Sequence, residues 1–169
     1  MGNKVHPIAF RIAAGKNWSS QWYGDKKVYS KNLVEDLNIR KYLLTKLKLA
    51  GITGVGIDRL INKTKVIISV SRPGVVIGHG GAGLEEIKKA LIPMVSINQP
   101  EKNLQIEVVE VKVPELSALL VGTRIASDIE RRLPFRRVAK KTMERVMMAG
   151  AKGIRIILSG KRPLTMKPW

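Results

Sequence analysis

The sequence has no cysteine, few aromatic residues and little negative charge, and each shortage excludes a class of protein. Without cysteine the chain forms neither disulfides nor thiolate zinc sites, and it has no cysteine nucleophile. Aromatic residues make up 5% of the 169 residues, which argues against a base-stacking sheet surface of the RRM type. No apolar run reaches the roughly 18 residues of a membrane span, and the first residues lack the apolar stretch of a secretory signal.

The shortage of acidic residues leaves the chain strongly basic. Lys and Arg number 31 against 13 Asp and Glu, which gives a formal net charge of +18. The hydrophobic fraction of 44% is nevertheless sufficient for a packed core. So large a positive charge in a short chain implies a polyanionic partner, with nucleic acid as the first candidate and an anionic membrane surface as the second.

The charge is unevenly distributed along the chain, and its distribution predicts three segments. Residues 32–113 carry a net +4, as a globular domain would, whereas residues 1–31 carry +5 and residues 114–169 carry +9. We therefore predict a basic N-terminal arm, a folded central domain, and a helical basic segment with one strand that forms an incomplete C-terminal domain. Aromatic residues of the arm, such as Trp18 and Trp22, are interpreted as anchors to the chain's own domain, with base stacking as the alternative.

Hydrophobic periodicity and turn residues predict the secondary structure. Asp36 is the expected N-cap of the first helix, Asn62-Lys63-Thr64 the turn of a hairpin, and Val108-Val109 the site of a β-bulge. The predicted elements are a helix over 36–50, strands over 55–61 and 65–71, a helix over 84–92, a strand over 104–113, helices over 114–133 and 134–150, and a strand over 154–159.

A glycine-rich segment, Gly78-His79-Gly80-Gly81-Ala82-Gly83, precedes the helix predicted over 84–92. Such a segment offers backbone N–H groups to phosphate. A P-loop is excluded because the terminal Gly-Lys-Ser/Thr is missing. The segment satisfies G-x-G-x-x-G, but the break at Arg72-Pro73-Gly74 disagrees with a dinucleotide fingerprint. The favoured interpretation is the GxxG loop of a KH domain, which clamps single-stranded nucleic acid, and a glycine turn without a ligand is the alternative.

The segment after residue 130 holds the densest positive charge. Eleven basic residues and one acidic residue lie between positions 131 and 162. Like-charge pairs four residues apart, such as Arg136 and Lys140, destabilise an isolated helix by about 0.2–0.5 kcal/mol each, and only Glu144 relieves them. A face of one sign favours phosphate binding over a merely solvated surface. The apolar side, which includes Ala139 and Thr142, disfavours a membrane helix.

Five separated parts of the chain share one resemblance. They are Met1–Pro7 with Arg11, Trp18–Trp22, Arg72–Gly78 with Gly81, Ile129–Arg132 with Phe135–Arg137, and Gly150–Ile154 with Ser159-Gly160. In this order they resemble the family of small-subunit ribosomal protein number 3, of the bacterial or organellar type. The resemblance implies an α+β fold, a prokaryotic-type (type II) KH domain followed by a partial second α/β domain, with an extended basic N-terminal arm.

The resemblance also implies a function. It implies a non-catalytic constituent of the small-subunit head that binds ribosomal RNA and contacts messenger RNA where the message enters. The neighbours would be head proteins numbers 10 and 14, in the bacterial cytoplasm or an organelle matrix, without cofactor, metal or membrane. The messenger contacts fall on Arg136, Arg137 and Lys140, whereas His79-Gly80 stands where the family often has two lysines. The residues expected to bind RNA are Lys4, Arg11, Arg72, Gly78, His79, Gly80, Gly81, Arg131, Arg132, Arg136, Arg137, Lys140, Lys141 and Arg145.

Alternatives remain open at the level of the sequence. A stand-alone KH-type RNA-binding regulator would use the same loop and helices, although it would not need the N-terminal arm. Family members continue with further strands after Ser159-Gly160, so an incomplete C-terminal domain implies compaction, a fragment or completion by a neighbouring subunit. An enzyme built on the glycine loop is not expected, because His6 and His79 are the only histidines and no carboxylate pair has a catalytic spacing.

Overall fold

The structure is a computed structural model that describes residues 2–12, 14, 18–96 and 99–159. The chain divides into two compact units, Met1–Lys112 and Val113–Trp169. Within the described residues, no helix is long and apolar enough to span a bilayer. The α-helices and strands of these residues are α1 (Pro7–Phe10), β1 (Ser20–Gln21), α2 (Lys26–Lys46), β2 (Ile52–Arg59), β3 (Thr64–Val70), α3 (Pro73–Ile77), α4 (Ala82–Leu91), α5 (Pro100–Asn103), β4 (Leu104–Glu110), α6 (Ala118–Glu130) and α7 (Phe135–Met148).

A four-stranded sheet in the order β1-β2-β3-β4 forms the base of the first unit. β2 and β3 make the predicted antiparallel hairpin, β1 pairs with β2 in parallel, and β4 pairs with β3 in parallel. Alternate residues of β3, Val66, Ile68 and Val70, are fully buried and share one core with Ile39 and Leu43 of α2. The order helix, hairpin, helix, glycine loop, helix, strand agrees with the predicted prokaryotic-type KH arrangement.

The long helix α2 begins at Lys26, well before the predicted start at Asp36. The prediction of Asp36 as an N-cap is wrong, because this residue lies in the middle of the helix and is only 2% exposed. β1 and the first turns of α2 thus come from the segment that the charge distribution placed in a basic arm. An acidic residue beside an apolar run has the same local pattern whether it caps a helix or forms a buried ion pair, so the sequence alone did not distinguish the two.

Asp36, Glu35 and Arg59 form a buried ion-pair cluster. Arg59 Nη2 and Nε donate to Asp36 Oδ1 at 2.6 and 2.9 Å, and Arg59 Nη1 donates to Glu35 Oε2 at 2.9 Å. The second Asp36 oxygen, Oδ2, accepts hydrogen bonds from Trp22 Nε1 at 2.9 Å and from Ser20 Oγ at 3.1 Å. The cluster therefore joins α2, the end of β2 and the segment that carries Trp22.

Glu35 is held in its ionised form by this cluster. Burial raises the pKa of Glu35, but hydrogen bonds from Ser96 and Arg59 and the positive charge of Arg59 outweigh it. The pKa of Glu35 consequently lies below its ordinary value of 4.5.

The predicted β-bulge at Val108-Val109 is wrong. The register between β4 and β3 is continuous across both residues, and β4 ends at Glu110 rather than at residue 113. β4 is the last strand of the sheet in the described part of the chain, and no described strand pairs with its outer edge. Val109 is 42% exposed. The two successive valines therefore break the alternation of apolar and polar residues because one apolar side chain lies on the exposed side of an edge strand.

The second unit packs α6 and α7 against each other. Its core consists of Val121, Ile125, Val138 and Val146. α6 begins at Ala118 after a 3-10 turn and not at Pro114. The helical spacing of apolar residues predicts a buried stripe of Ala118, Val121, Ile125, Ile129 and Leu133. Its ends are wrong, because Ala118 and Ile129 lie in exposed first and last turns and the exposed Leu133 follows the end of α6, whereas Leu120 is buried.

The strand predicted over 154–159 is not formed in the structure. Its β-branched residues have the required propensity, but a strand also needs a partner for its N–H and C=O groups. No strand among the described residues of the chain pairs with it. Ile154 and Ile156 instead pack against the core of α6 and α7. The predicted basic tail, residues 160–169, lies outside the described residues.

Candidate nucleic-acid interface

The glycine loop connects two helices, as the predicted KH interpretation requires. α3 buries Val76 completely and ends at Ile77, and α4 begins at Ala82. Gly78, Gly80 and Gly81 have φ values of 70°, 61° and 86°, a region that L side chains rarely adopt. His79 and the two glycines beside it are exposed. The loop therefore presents three glycines without side chains around the exposed His79, and a sugar-phosphate backbone can approach these glycines closely.

Gly83 is a further requirement of this loop that the GxxG interpretation did not include. A Cβ on Gly83 would lie 2.5 Å from the carbonyl oxygen of Val76 and 3.0 Å from that of Ile77. A Cβ on Gly78 would lie 3.0 Å from the backbone nitrogen of Gly83. α3 and α4 thus meet backbone to backbone. Gly83 is the last glycine of the G-x-G-x-x-G match, so the sequence does mark this position. In the structure the glycine allows two helices to pack closely, and not a dinucleotide to bind.

Replacing Gly83 with alanine should destabilise the chain by about 1–3 kcal/mol, because backbone atoms cannot move aside as a flexible side chain can. Urea unfolding followed by circular dichroism measures the loss. The matched control is Gly74→Ala in α3, where a Cβ meets open space. The free energy of unfolding of this variant should not fall and should rise by up to about 1 kcal/mol. Equal midpoints for the two variants would contradict the close contact between α3 and α4.

α7 separates an apolar face from a charged one. Val138, Thr142 and Val146 recur every four residues and are each 6% exposed. The Arg136 guanidinium lies 5.9 Å from the centroid of the Phe135 ring, within the range of a cation–π contact. The basic residues lie outside the buried stripe and are all exposed; we call them the α7 cationic face: Arg136, Arg137, Lys140, Lys141 and Arg145.

Acidic side chains do not neutralise this face in the described part of the chain. The ion pairs found there join Lys46 to Glu86, Arg59 to Glu35 and to Asp36, Lys65 to Glu107, and Arg124 to Glu115. None of these pairs includes a residue of the α7 cationic face. Because the like charges repel one another along the helix, an anion bound there would relieve the repulsion.

Two more arginines lie between α6 and α7. Arg132 has a φ of 63° at the position after the C-cap Arg131, where glycine is usual. Its N–H donates to the carbonyl of Ile129 at 2.8 Å. The N–H of Leu133 donates to the carbonyl of Asp128 at 3.2 Å, which completes a Schellman motif. This turn leaves both arginines exposed just before α7.

The predicted RNA-binding residues fall into both units of the chain. In the first unit Lys4, Arg11 and Arg72 are exposed, and Arg72 directly precedes α3 and the glycine loop. In the second unit Arg131 and Arg132 precede α7 and its cationic face. The described residues contain no group of three or more His, Asp or Glu that could hold a metal ion.

Known protein families match both units. Residues 38–116 match a family model described as "KH domain", and residues 125–164 match one described as "Ribosomal protein S3, C-terminal domain". The predicted fold class, a KH domain followed by a second domain, is thereby confirmed.

Curated relatives match almost the whole chain. The protein named "Small ribosomal subunit protein uS3" from Desulforamulus reducens is 44% identical over 161 residues, which are 95% of this chain and 71% of the relative. Proteins of the same name from Carboxydothermus hydrogenoformans and Syntrophus aciditrophicus are 44% and 46% identical. Their matches cover 95% of this chain and 70% and 72% of the relatives.

Proposed function

Because the chain belongs to the ribosomal protein uS3 family, we propose that it contacts messenger RNA where the message enters the small ribosomal subunit. Family membership makes the chain a structural, non-enzymatic constituent of the small subunit with an RNA-binding KH domain. It also associates the chain with small-subunit ribosomal RNA. The predicted resemblance is thus confirmed, and a stand-alone regulator is the weaker interpretation.

The α7 cationic face is the observation that carries the messenger contact. Its five exposed cations have no ion pair among the described residues, so counterions that they release on binding phosphates add to the affinity. Phosphate contacts of this kind are independent of base sequence, as a site that accepts every message requires. Arg136, Arg137 and Lys140 would hold the incoming strand, and Arg131 and Arg132 would extend the surface before α7.

The glycine loop supports a second RNA contact in the first unit. Gly78, His79, Gly80 and Gly81 would admit a single-stranded segment of ribosomal RNA to close approach, with Arg72 as the neighbouring cation. The loop has His79-Gly80 where two lysines would add charge, so shape contributes more than charge to this contact. Lys4 and Arg11 of the N-terminal segment would add phosphate contacts.

The proposal also covers the neighbouring proteins and the compartment. Head proteins numbers 10 and 14 would lie beside this chain in the assembled subunit. The subunit would belong to ribosomes of the bacterial cytoplasm or of an organelle matrix. A salt-washed sucrose gradient of native extract should show the chain with small subunits and whole ribosomes.

Photocrosslinking tests the messenger contact directly. Small subunits that contain this chain are programmed with messages that carry one photoreactive uridine, moved stepwise downstream of the decoding site. We expect adducts on peptides of α7 only when the uridine reaches the entrance, and a marked loss of adducts in Arg136→Ala with Arg137→Ala. A uridine placed upstream is the control. Adducts elsewhere on the chain, with none on α7, would contradict the messenger contact and leave the ribosomal role intact.

A further inference from the structure

The turn between α6 and α7 holds an arginine in a backbone conformation that lowers stability. Arg132 has a φ of 63°, in the left-handed region. There the Cβ of an L residue crowds the following carbonyl oxygen, a cost that glycine does not have. Among the described residues other than glycine, only Gln99 also has a positive φ, and it lies in a loop before α5. Arg132 is therefore the only described residue with a side chain that adopts this conformation where a helix ends.

A second turn of the same kind, after α7, shows what the fold itself requires. The N–H groups of Gly150 and Ala151 donate to carbonyls of the last turn of α7 at 3.0 and 3.3 Å, which are the two hydrogen bonds of a Schellman motif. Arg132 and Leu133 make the same pair of bonds after α6. Gly150 has a φ of 90°. Both turns therefore need a left-handed residue, but only the turn after α6 has a side chain at that position.

The described part of the chain makes no use of the Arg132 side chain. Arg132 is exposed, and its guanidinium takes part in none of the hydrogen bonds or ion pairs found among the described residues. A cation near the carbonyl end of a helix is favourable, but Arg131 at the C-cap of α6 already provides one. Glycine would satisfy the turn with less strain, so the presence of an arginine here points to a contact outside the chain.

The charge around the turn indicates which partner the arginine contacts. Residues 131–145 contain seven cations and a single acidic residue, Glu144. An RNA strand carries one negative charge per nucleotide, and a guanidinium can donate two parallel N–H bonds to one phosphate. An acidic protein segment would need carboxylates at a similar density to balance the same surface. RNA is therefore favoured over a protein partner.

We propose that Arg132 binds an RNA phosphate and that its left-handed conformation, which lowers the stability of the second unit, is retained for this contact. The proposal rests on the RNA-binding function argued above and adds an opposition between stability and binding. Arg132→Gly should make the chain more stable and at the same time weaken its RNA binding. An arginine that only supports the end of α6, or one that is only solvated, would not show these opposite effects.

Hydrogen exchange of the full chain measures the effect on stability. Backbone amides in the core of α6 and α7 should exchange about fivefold more slowly in Arg132→Gly, because the strain of the turn is relieved. Gly150→Ala is the matched control, since a Cβ at Gly150 meets open space and only the left-handed conformation opposes it. The same amides should exchange about fivefold faster in this control. Faster exchange in Arg132→Gly would show that the arginine supports the end of α6, and the proposal would be overturned.

Fluorescence anisotropy with a labelled oligouridylate measures the effect on RNA binding. Arg132→Gly should weaken binding about fivefold at about 0.1 M salt and reduce the log–log salt slope by about 0.7, the contribution of one single-strand phosphate. Arg132→Lys keeps the charge and the strain, so it should retain most of the affinity and leave hydrogen exchange unchanged. Lys63→Ala removes one exposed cation outside the proposed RNA contacts. This control for net charge should change the affinity and the slope much less.

The outcomes separate this proposal from the proposed function. If Arg132→Gly binds RNA as Lys63→Ala does, while removal of the α7 cations weakens binding, the Arg132 proposal is overturned and the RNA-binding proposal stands. If neither Arg132→Gly nor removal of the α7 cations weakens binding, both proposals are overturned. If Arg132→Gly keeps its RNA affinity but assembled subunits lose a neighbouring protein, the turn binds a protein and the phosphate contact is wrong.

Discussion

Replacing Arg59 with alanine should destabilise the chain by about 3–5 kcal/mol, the cost of leaving buried carboxylates without their partner. The side chains of Arg59, Glu35 and Asp36 are 9%, 10% and 4% exposed, so the change leaves two largely desolvated carboxylates without their guanidinium. The same change removes the hydrogen bonds from Arg59 to Asp36, the residue that accepts hydrogen bonds from Trp22 and Ser20. We therefore expect the contact between β1 and α2 to loosen as well. Urea unfolding at neutral pH measures the loss.

The pH dependence identifies the carboxylates as the cause. The folded pKa of Glu35 is depressed, so its stabilising contribution is present above the ordinary value of 4.5 and is lost as the pH falls through the folded pKa. Without Arg59 the Glu35 carboxyl should become easier to protonate, because burial then raises its pKa with less opposition, and protonation removes the penalty of unpaired buried charge. The difference between Arg59→Ala and the unchanged chain should therefore narrow below pH 4.5. A constant difference at all pH values would show that lost packing, and not charge, is responsible.

An exposed ion pair provides the matched control. Lys46 Nζ lies 2.7 Å from Glu86 Oε1, with side chains 45% and 65% exposed. Lys46→Ala should leave the urea midpoint nearly unchanged, because solvent screens this pair and ordering two long side chains offsets the attraction. A large loss for Lys46→Ala would contradict the distinction between the two pairs.

Removing three cations of the α7 cationic face should weaken binding of single-stranded RNA about a hundredfold at about 0.1 M salt. Arg136→Ala, Arg137→Ala and Lys140→Ala together should also reduce the log–log salt slope by about 2, since each single-strand phosphate contact contributes about 0.7. Stability should not fall, because the change removes like-charge neighbours along the helix. Fluorescence anisotropy across a salt series measures both the affinity and the slope.

A second triple variant keeps the change in net charge equal. Lys41, Lys48 and Lys63 are exposed cations outside the proposed RNA contacts, and their replacement by alanine also removes three charges. This control should lose much less affinity and slope than the α7 variant. If both variants lose the same amount, the chain binds RNA through its overall charge, and α7 is not a particular site. If the α7 variant unfolds, the assignment of its exposed face is wrong.

Much of the fold and part of the site follow from local patterns. The hairpin, the glycine loop between two helices and the apolar stripe of α7 at Val138, Thr142 and Val146 rest on spacings of two to four residues. The cationic face of α7 can be predicted from the sequence for the same reason, because residues four apart share one side of a helix. Composition and charge then point to a polyanionic partner, and the combination of motifs points to the family.

The two wrong predictions, the cap at Asp36 and the strand over 154–159, share a different cause. The local pattern around Asp36 predicts a cap because its partner, Arg59, is 23 residues away in the chain and adjacent only after β2 folds against α2. Residues 154–159 have the composition of a strand, but pairing depends on another strand, and β propensity does not supply one.

By itself, the sequence determined the KH order of elements, the positive charge and its concentration on one face of α7, because each depends on neighbours along the chain. Only the tertiary structure decided that Glu35, Asp36 and Arg59 are buried together, that Gly83 touches the backbone of α3, and that Trp18 and Tyr29 border a cleft. The physical reason is burial: whether a charge, a glycine or an aromatic ring is costly, necessary or available depends on the atoms that folding brings around it, and those atoms come from distant parts of the chain.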